Sequence, residues 1–383
     1  MFKLYNTQKE ITTHIAKFLQ NSIPNIRKTQ LKIIPFIIFG MINSNSCVAS
    51  SIASNLKDDF SLVKLDSVNK RIRRFFNNKL FDAYSFYNYF IKAIISTYKK
   101  KHNDKRVHIC FDHTYSHENY TIYMISMRIG KQGIPLYFEC FKGINNPDSY
   151  LDDTIIKGIN FVSDLFKNTG LELIFLADRW FNSENILKHI DSLNHNYCIR
   201  IKGNLNVKVF DKKEGHYIRK TASELFAYQY HSAFYYDTYL YSDANYKANI
   251  TVSKKQGVSE PWIIATNGDP KRAIKDYGYR FGGIESIFKN QKSNGFNLEK
   301  INNSTLKSFT SMFSLVCFSI TWLVMIGSDF SKNNVSYNSL GLKTHKNGKR
   351  IMSLFKIGMT LFKRAFNSPI YIRIPFNFIL YDC

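Results

Sequence analysis

Three acidic residues stand where carboxylates could work together. Asp112 closes a short apolar run in CFDHTYS, Asp178 follows the run LELIFLA in IFLADRWF, and Glu285 lies in GGIESIFKNQK. Two carboxylates at the ends of neighbouring strands, with a third on a helix packed beside them, could share divalent cations. Magnesium prefers carboxylate oxygens and keeps part of its water shell, so Asp and Glu suit such a site where His or Cys would not. Two Mg2+ ions (or Mn2+ in their place) roughly 3.5–4 Å apart can activate a water or a 3′-hydroxyl and relieve charge on the leaving oxygen, as phosphodiester cleavage requires. No separate protein base is then needed. A lone Asp at a strand end is ordinarily a turn or cap residue. The pairing of Asp112 with Asp178, the buried-strand pattern before Asp178 and the Arg179-Trp180 pair after it argue for more.

Those acids need strands and a helix to carry them, and the periodicity supplies both. Residues 1–100 read as helical, with apolar residues at helical spacing over 11–19, 32–41 and 81–98. The pattern changes near Val107. VHICFD, YTIYMISMRI and IPLYFECFKG read as three successive strands, the last two joined by the turn GKQG. A helix over 151–167 follows, then LELIFLA, whose unbroken apolar character marks a strand buried on both faces. Next come a helix over 183–193 with Ser183 as its cap, a strand over 196–202, and a Tyr-, Lys- and Gly-rich stretch of short β segments over 203–260. The strand WIIATN and a long helix over about 271–292 resume the earlier pattern. The order β-β-β-α-β-α-β, insertion, β-α matches an α/β, RNase H-like core with an inserted β region. The resulting division is a helical basic region (1–100), the core in two parts (101–202 and 261–300) around the insertion (203–260), and a helical basic C-terminal region (301–383).

Charge points to the partner. The 383 residues carry 53 Lys and Arg against 29 Asp and Glu, a net of +24. Residues 1–100 hold a net of +11 and residues 300–383 a net of +9, leaving the middle near neutrality. Basic surface gains affinity for a polyanion by releasing counterions from phosphates. Lys70, Arg71, Arg73 and Arg74, beside Phe75 and Phe76, form a basic, partly apolar helix of the kind a helix-turn-helix-like DNA reader uses. Its alternative role is a solvated basic face packed on the core.

Other residues exclude other classes. The six cysteines are scattered singly with no CxxC pair, so neither a zinc site nor a disulfide framework is indicated, and a cytoplasmic, nucleoid-associated setting fits. The N-terminus has no signal-peptide apolar run. Residues 309–327 are uncharged over 19 positions and approach bilayer-spanning length, but five Ser and Thr interrupt them; a buried core helix is the expectation, with no membrane. His113 should point to the face opposite Asp112. Arg179 is a phosphate-binding candidate or an ordinary ion-pair residue, His189 and His195 fit no ligand pattern, and Cys110 reads as core.

The stretch YGYRFGGIESIFKNQKSNGF resembles the Tyr-Arg-Glu-Lys signature of bacterial insertion-sequence transposases, the group named for insertion sequence four. ADRWFNSENIL resembles that group's second-aspartate motif, CFDHTY its first, and WIIATN the strand before the signature helix; the likeness spans about residues 107–297. It implies a DDE enzyme that binds the terminal inverted repeats of its own element as a homodimer, cleaves the ends with Mg2+ and joins them to target DNA. It also implies a metal triad of Asp112, Asp178 and Glu285, with Tyr277, Arg280 and Lys292 gripping phosphates near the cut. Four residues separate Arg280 from Glu285 where the group has three, an extra glycine (Gly282 or Gly283) accounting for the difference, and Tyr279 is the alternative tyrosine. Trp262, or a Tyr of the insertion, is a candidate to stack on an unpaired base.

Overall fold

The computed structural model describes residues 7–56, 63–98, 105–116, 120–143, 151–241, 246–254, 260–292, 295–301, 305–332, 351–367 and 378–382. The N-terminal residues form helices α1 (Gln8–Ser22), α2 (Lys28–Leu31), α3 (Ile34–Ser44), α4 (Ala49–Ser54), α5 (Leu65–Phe76) and α6 (Ala83–Ser96). Their boundaries follow local chemistry. Thr7 and Glu10 close a reciprocal capping box on α1, and the Asp82 carboxylate accepts the Tyr84 and Ser85 amides to start α6. Helix α5 turns Val68, Ile72, Phe75 and Phe76 inward and leaves Lys70, Arg71, Arg73 and Arg74 exposed.

The centre is mixed α/β. Strands β1 (Arg106–Ser116), β2 (Tyr120–Ile129) and β3 (Gln132–Lys142) form an antiparallel meander. Helix α7 (Leu151–Phe166) leads to β4 (Glu172–Ala177), and α8 (Glu184–Ser192) leads to β5 (Asn196–Arg200). β4 pairs in parallel with both β1 and β5, which makes it an interior strand, and its residues from Leu173 to Ala177 are all buried, as its apolar run requires. β6 (Asn206–Asp211), β7 (His216–Thr221), β8 (Ser232–Leu240) and β9 (Tyr246–Ser253) precede β10 (Trp262–Thr266). All ten strands join one sheet in the order β3-β2-β1-β4-β5-β10-β9-β8-β6-β7. The inserted region is therefore not a separate β body: β9 pairs antiparallel with β10, and the insertion lengthens the central sheet.

Two local expectations are corrected. The long helix expected over 271–292 is two helices, α9 (Pro270–Gly278) and α10 (Arg280–Gln291), parted at Tyr279. α9 lies on β9 and β10, and α10 packs against β1, β2 and β3. Ser183 sits at the start of α8, but its hydroxyl donates to Asp152 at 2.7 Å instead of capping the helix.

Helix α11 (Leu306–Lys332) is the apolar segment singled out above, and α12 (Leu354–Asn367) packs against it. α11 is long and apolar enough to cross a bilayer, yet residues 308–328 are buried inside the fold. Phe309 stacks on Tyr120 at 4.2 Å, Phe313 meets Phe138 at 5.0 Å and Phe318 meets Phe90 at 4.1 Å. Each such ring contributes about 1.5–3 kcal/mol by leaving water. Four of the five hydroxyls that interrupt the run bond back into the helix, Thr310 to the Leu306 carbonyl, Ser314 to Ser311, Ser319 to Leu315 and Thr321 to Cys317, so they cost little inside the core, whereas the Ser311 hydroxyl is buried without a partner. The basic residues between 343 and 350 and at 373 lie outside the described residues.

The seating of α10 depends on glycine. A Cβ at Gly283 would stand 2.6 Å from the Cys110 sulfur on β1, and one at Gly133 on β3 would stand 2.2 Å from the Gly283 carbonyl. Gly283→Ala should therefore lift α10 off β1 and destabilise the protein by about 1–3 kcal/mol, the usual cost of overpacking. Urea unfolding measures this, and an unchanged midpoint would contradict the close approach.

Candidate active site

Parallel pairing brings the two aspartates together. Cys110 on β1 lies opposite Leu176 on β4; two residues further along each segment come Asp112, still within β1, and Asp178, just past the end of β4. The two carboxylates therefore stand near one another where the β1–β4 pairing ends. Asp178 accepts the Arg179 amide at 2.7 Å and caps a single 3-10 turn, Arg179–Phe181. Phe181 pins that turn against Phe111 at 5.2 Å and His113 at 5.7 Å, whereas Trp180 beside it is 46% exposed.

Glu285 reaches the centre through an arginine. Arg280, in the first turn of α10, donates to Asp112 and stands 3.5 Å from the Glu285 carboxylate. Its side chain is 7% exposed, against 17% for Asp112 and 36% for Glu285. Burial pushes the Asp112 carboxyl above the usual carboxylate range; Arg280 opposes this and Asp178 adds to it. Burial also works against the charge of Arg280, but Asp112, Tyr277 and Asp178 together hold its pKa above the ordinary value. Burial lowers His113, with Asp112 pulling the other way. The Tyr277 hydroxyl is pushed up to about 12, first by burial and then by Asp178.

The other expected site residues are placed differently from one another. Tyr277 is 2% exposed and packs edge-on against Trp262 at 5.2 Å, so it belongs to the wall of the site and not to an open phosphate-facing surface. Trp262 is half-buried and stacks on Phe281 at 5.5 Å. Tyr279, the alternative tyrosine, lies under the Arg128 guanidinium at 3.8 Å and against His108, away from the carboxylates' partners. Lys292 ends α10 and pairs with Glu299 at 3.6 Å. Arg179 is engaged by Glu260 at 2.8 Å. His189 and His195 bond to Asn160 and Ser163.

On α5, Lys70 pairs with Asp66 at 2.7 Å, while Arg71 and Arg74 line a groove of about 570 Å3 with Lys32, Phe36, Val63, Ser67 and Val68. Lys32, in the turn between α2 and α3, and Phe36, in α3, escaped the sequence reading because they lie some forty residues before Arg71 and Arg74; only tertiary packing makes them neighbours.

In type, the donors suit a divalent cation: hard carboxylate oxygens, with polar atoms left over around them. His113 Nδ1, the Tyr123 hydroxyl and Arg280 Nε are buried with no hydrogen-bond partner, and each belongs to a residue that Asp112 touches or influences. In placement, Asp112 and Asp178 qualify, but the expected triad is not assembled. Among the described residues no three His, Cys, Asp or Glu side chains stand together as ligands of one ion. The physical reason is Arg280, whose guanidinium stands between Asp112 and Glu285 and is already paired with both.

No family model and no curated protein matches the chain. Among solved structures, Marinitoga piezophila Argonaute in complex with a 5′-OH guide RNA is 10% identical over 59% of this chain and 34% of its own, with a TM-score of 0.25. Ciona intestinalis Endonuclease V, in complex with a DNA containing inosine followed by ribo-adenosine, is 13% identical over 49% of this chain and 85% of its own, with a TM-score of 0.23. The chain thus spans about a third of the Argonaute's length. Likenesses this slight define neither family nor activity.

The raised Asp112 carboxyl has a consequence for stability. A carboxyl whose native pKa exceeds its unfolded one holds its proton more tightly when folded, so its ionisation costs stability as pH rises from the ordinary carboxylate range through the native value. The stability of the wild type relative to Asp112→Asn should therefore fall between about pH 4 and about pH 8. Urea unfolding at the two pH values tests this; a difference that grows with pH would show Arg280 outweighing burial.

Proposed function

We propose that this chain is a DDE transposase: a metal-dependent enzyme that cuts DNA at the ends of a mobile element and joins them to target DNA. The observation that carries the reading is the parallel pairing of β1 with β4, which brings Asp112 near Asp178 just past the end of β4, with α10 delivering Glu285 to Asp112 through Arg280. The order β3-β2-β1-β4-β5, antiparallel then parallel, supports reading the first five strands as an RNase H-like core, with the remaining strands as its extension.

Asp112 and Asp178 would hold Mg2+ or Mn2+, and Glu285 would join them once Arg280 releases it. Divalent ions bound there supply an activated nucleophile and charge relief at the leaving oxygen. The chain's own residues do the rest. Arg280 neutralises Asp112 as the chain stands, and exchanges that partner for a phosphate when DNA enters. Tyr277 and Phe281 brace Trp262 beside it. Arg71, Arg74 and Lys32 offer a cationic groove to the DNA backbone, and the exposed outer flank of α5 adds Arg73. Two copies would pair two element ends in the cytoplasm. The signature resemblance over residues 277–292 favours strand transfer over simple hydrolysis.

The test is nicking of DNA that carries the gene's own flanking sequences. The wild type should nick with Mg2+ or Mn2+ and not with EDTA. Asp112→Asn, Asp178→Asn and Glu285→Gln should each lose about a hundredfold or more, on the order of what removing one charge-stabilising group costs. Transfer of a pre-cut 3′ end into a second DNA separates the transposase from a plain nuclease. Nicking that survives all three substitutions would refute the site.

A further inference from the structure

We propose that the exposed face of the sheet extension is a docking surface for single-stranded DNA, separate from the carboxylate centre and independent of its chemistry. Strand pairing sets Lys247 on β9 opposite Tyr239 on β8, Tyr239 opposite Lys208 on β6, and Lys208 opposite Arg219 on β7. These four side chains cross the sheet as one rung. Two residues along, on the same face, Phe210 lies opposite Tyr217. The Phe210 and Tyr217 rings meet at 5.5 Å, and Tyr217 and Tyr239 at 5.2 Å, both edge-to-face. The alternate positions Val207, Val209, Leu240 and Ala248 are buried on the other side, so the face is defined by the pleat.

This arrangement is costly without a ligand. Like charges directly opposite on neighbouring strands destabilise a sheet, and Lys208 faces Arg219 with neither in an ion pair among the described residues. Phe210 and Tyr217 remain 49% and 40% exposed. The third cation, Lys247, is held by Asp237 at 2.9 Å, and the Asp237 carbonyl accepts the Tyr217 hydroxyl at 3.1 Å, which fixes that ring in place. A phosphate relieves the Lys208–Arg219 repulsion, and an unpaired base covers an aromatic ring. A duplex offers the phosphates but keeps its bases stacked on each other. Only a single strand offers both at once, and base–aromatic stacking tolerates any sequence.

The experiment is fluorescence anisotropy of the full chain with a labelled oligothymidylate of about 12 nucleotides, within the usual site size of such surfaces, against a duplex of equal length. Phe210→Ser with Tyr217→Ser should weaken single-strand binding roughly 5- to 100-fold, the range for losing stacked bases. Lys208→Ser with Arg219→Ser should lower the slope of log affinity against log salt by about 1.4, two single-strand phosphates' worth. Duplex affinity should stay unchanged in the aromatic variant, because a duplex keeps its bases stacked on each other. Lys208→Thr alone should leave the urea midpoint equal or higher, because it removes a repulsion. Unchanged single-strand affinity in well-folded variants, an equal loss for duplex in the aromatic variant, or a lowered midpoint in Lys208→Thr would each overturn the proposal. Loss of nicking in the carboxylate variants bears on the catalytic reading alone.

Discussion

The charge on Asp112 is the constraint around which the centre is built. A largely buried carboxylate on a strand of the sheet cannot be ionised cheaply unless a cation stands beside it. Arg280 is that cation, itself almost wholly buried and therefore equally dependent on Asp112 and Glu285. Removing one member leaves the others uncompensated, which is why the site must be assembled as a unit. Any divalent ion that enters competes with a guanidinium already in place.

That single contact dictates much of the architecture near it. For Arg280 to reach Asp112, α10 must press onto β1 closely enough that only a glycine fits at position 283. The junction between α9, on β9 and β10, and α10, on the meander, is Tyr279, which is fixed there by Arg128 above its ring and His108 at its edge. The buried Asp276, bonded to His108 at 2.9 Å, ties the end of α9 to β1 a few residues before Asp112. Position 112 and position 280 are thus held by one continuous set of contacts running from sheet to helix.

The strands were legible because a buried parallel strand leaves its own pattern: Leu173 to Ala177 of LELIFLA are apolar without a break, unlike the Tyr-, Lys- and Gly-rich insertion. Asp112 and Asp178 were legible because each ends such a run, and the burial of residues 309–327 because Ser and Thr can bond within their own helix. What stayed hidden depends on packing across the chain. Nothing local distinguishes an arginine that faces DNA from one turned inward onto a carboxylate, so Arg280 and Tyr277 were read as outward residues. The break at Tyr279 is nearly helical in its backbone, with φ −71° and ψ −17°, and carries no proline to announce it. Alternation also cannot say which sheet a strand joins, so the union of the insertion with the central sheet, and the meeting of Lys208 with Arg219, appear only in the register.

The most direct measurement is manganese anomalous diffraction from crystals of the full chain bound to a DNA end. The account predicts a manganese peak between the carboxylates of Asp112 and Asp178, with Glu285 turned toward it and Arg280 moved from Asp112 to a DNA phosphate. A complex in which Arg280 still bridges Asp112 and Glu285, and in which manganese is absent from that centre or bound elsewhere, would contradict it.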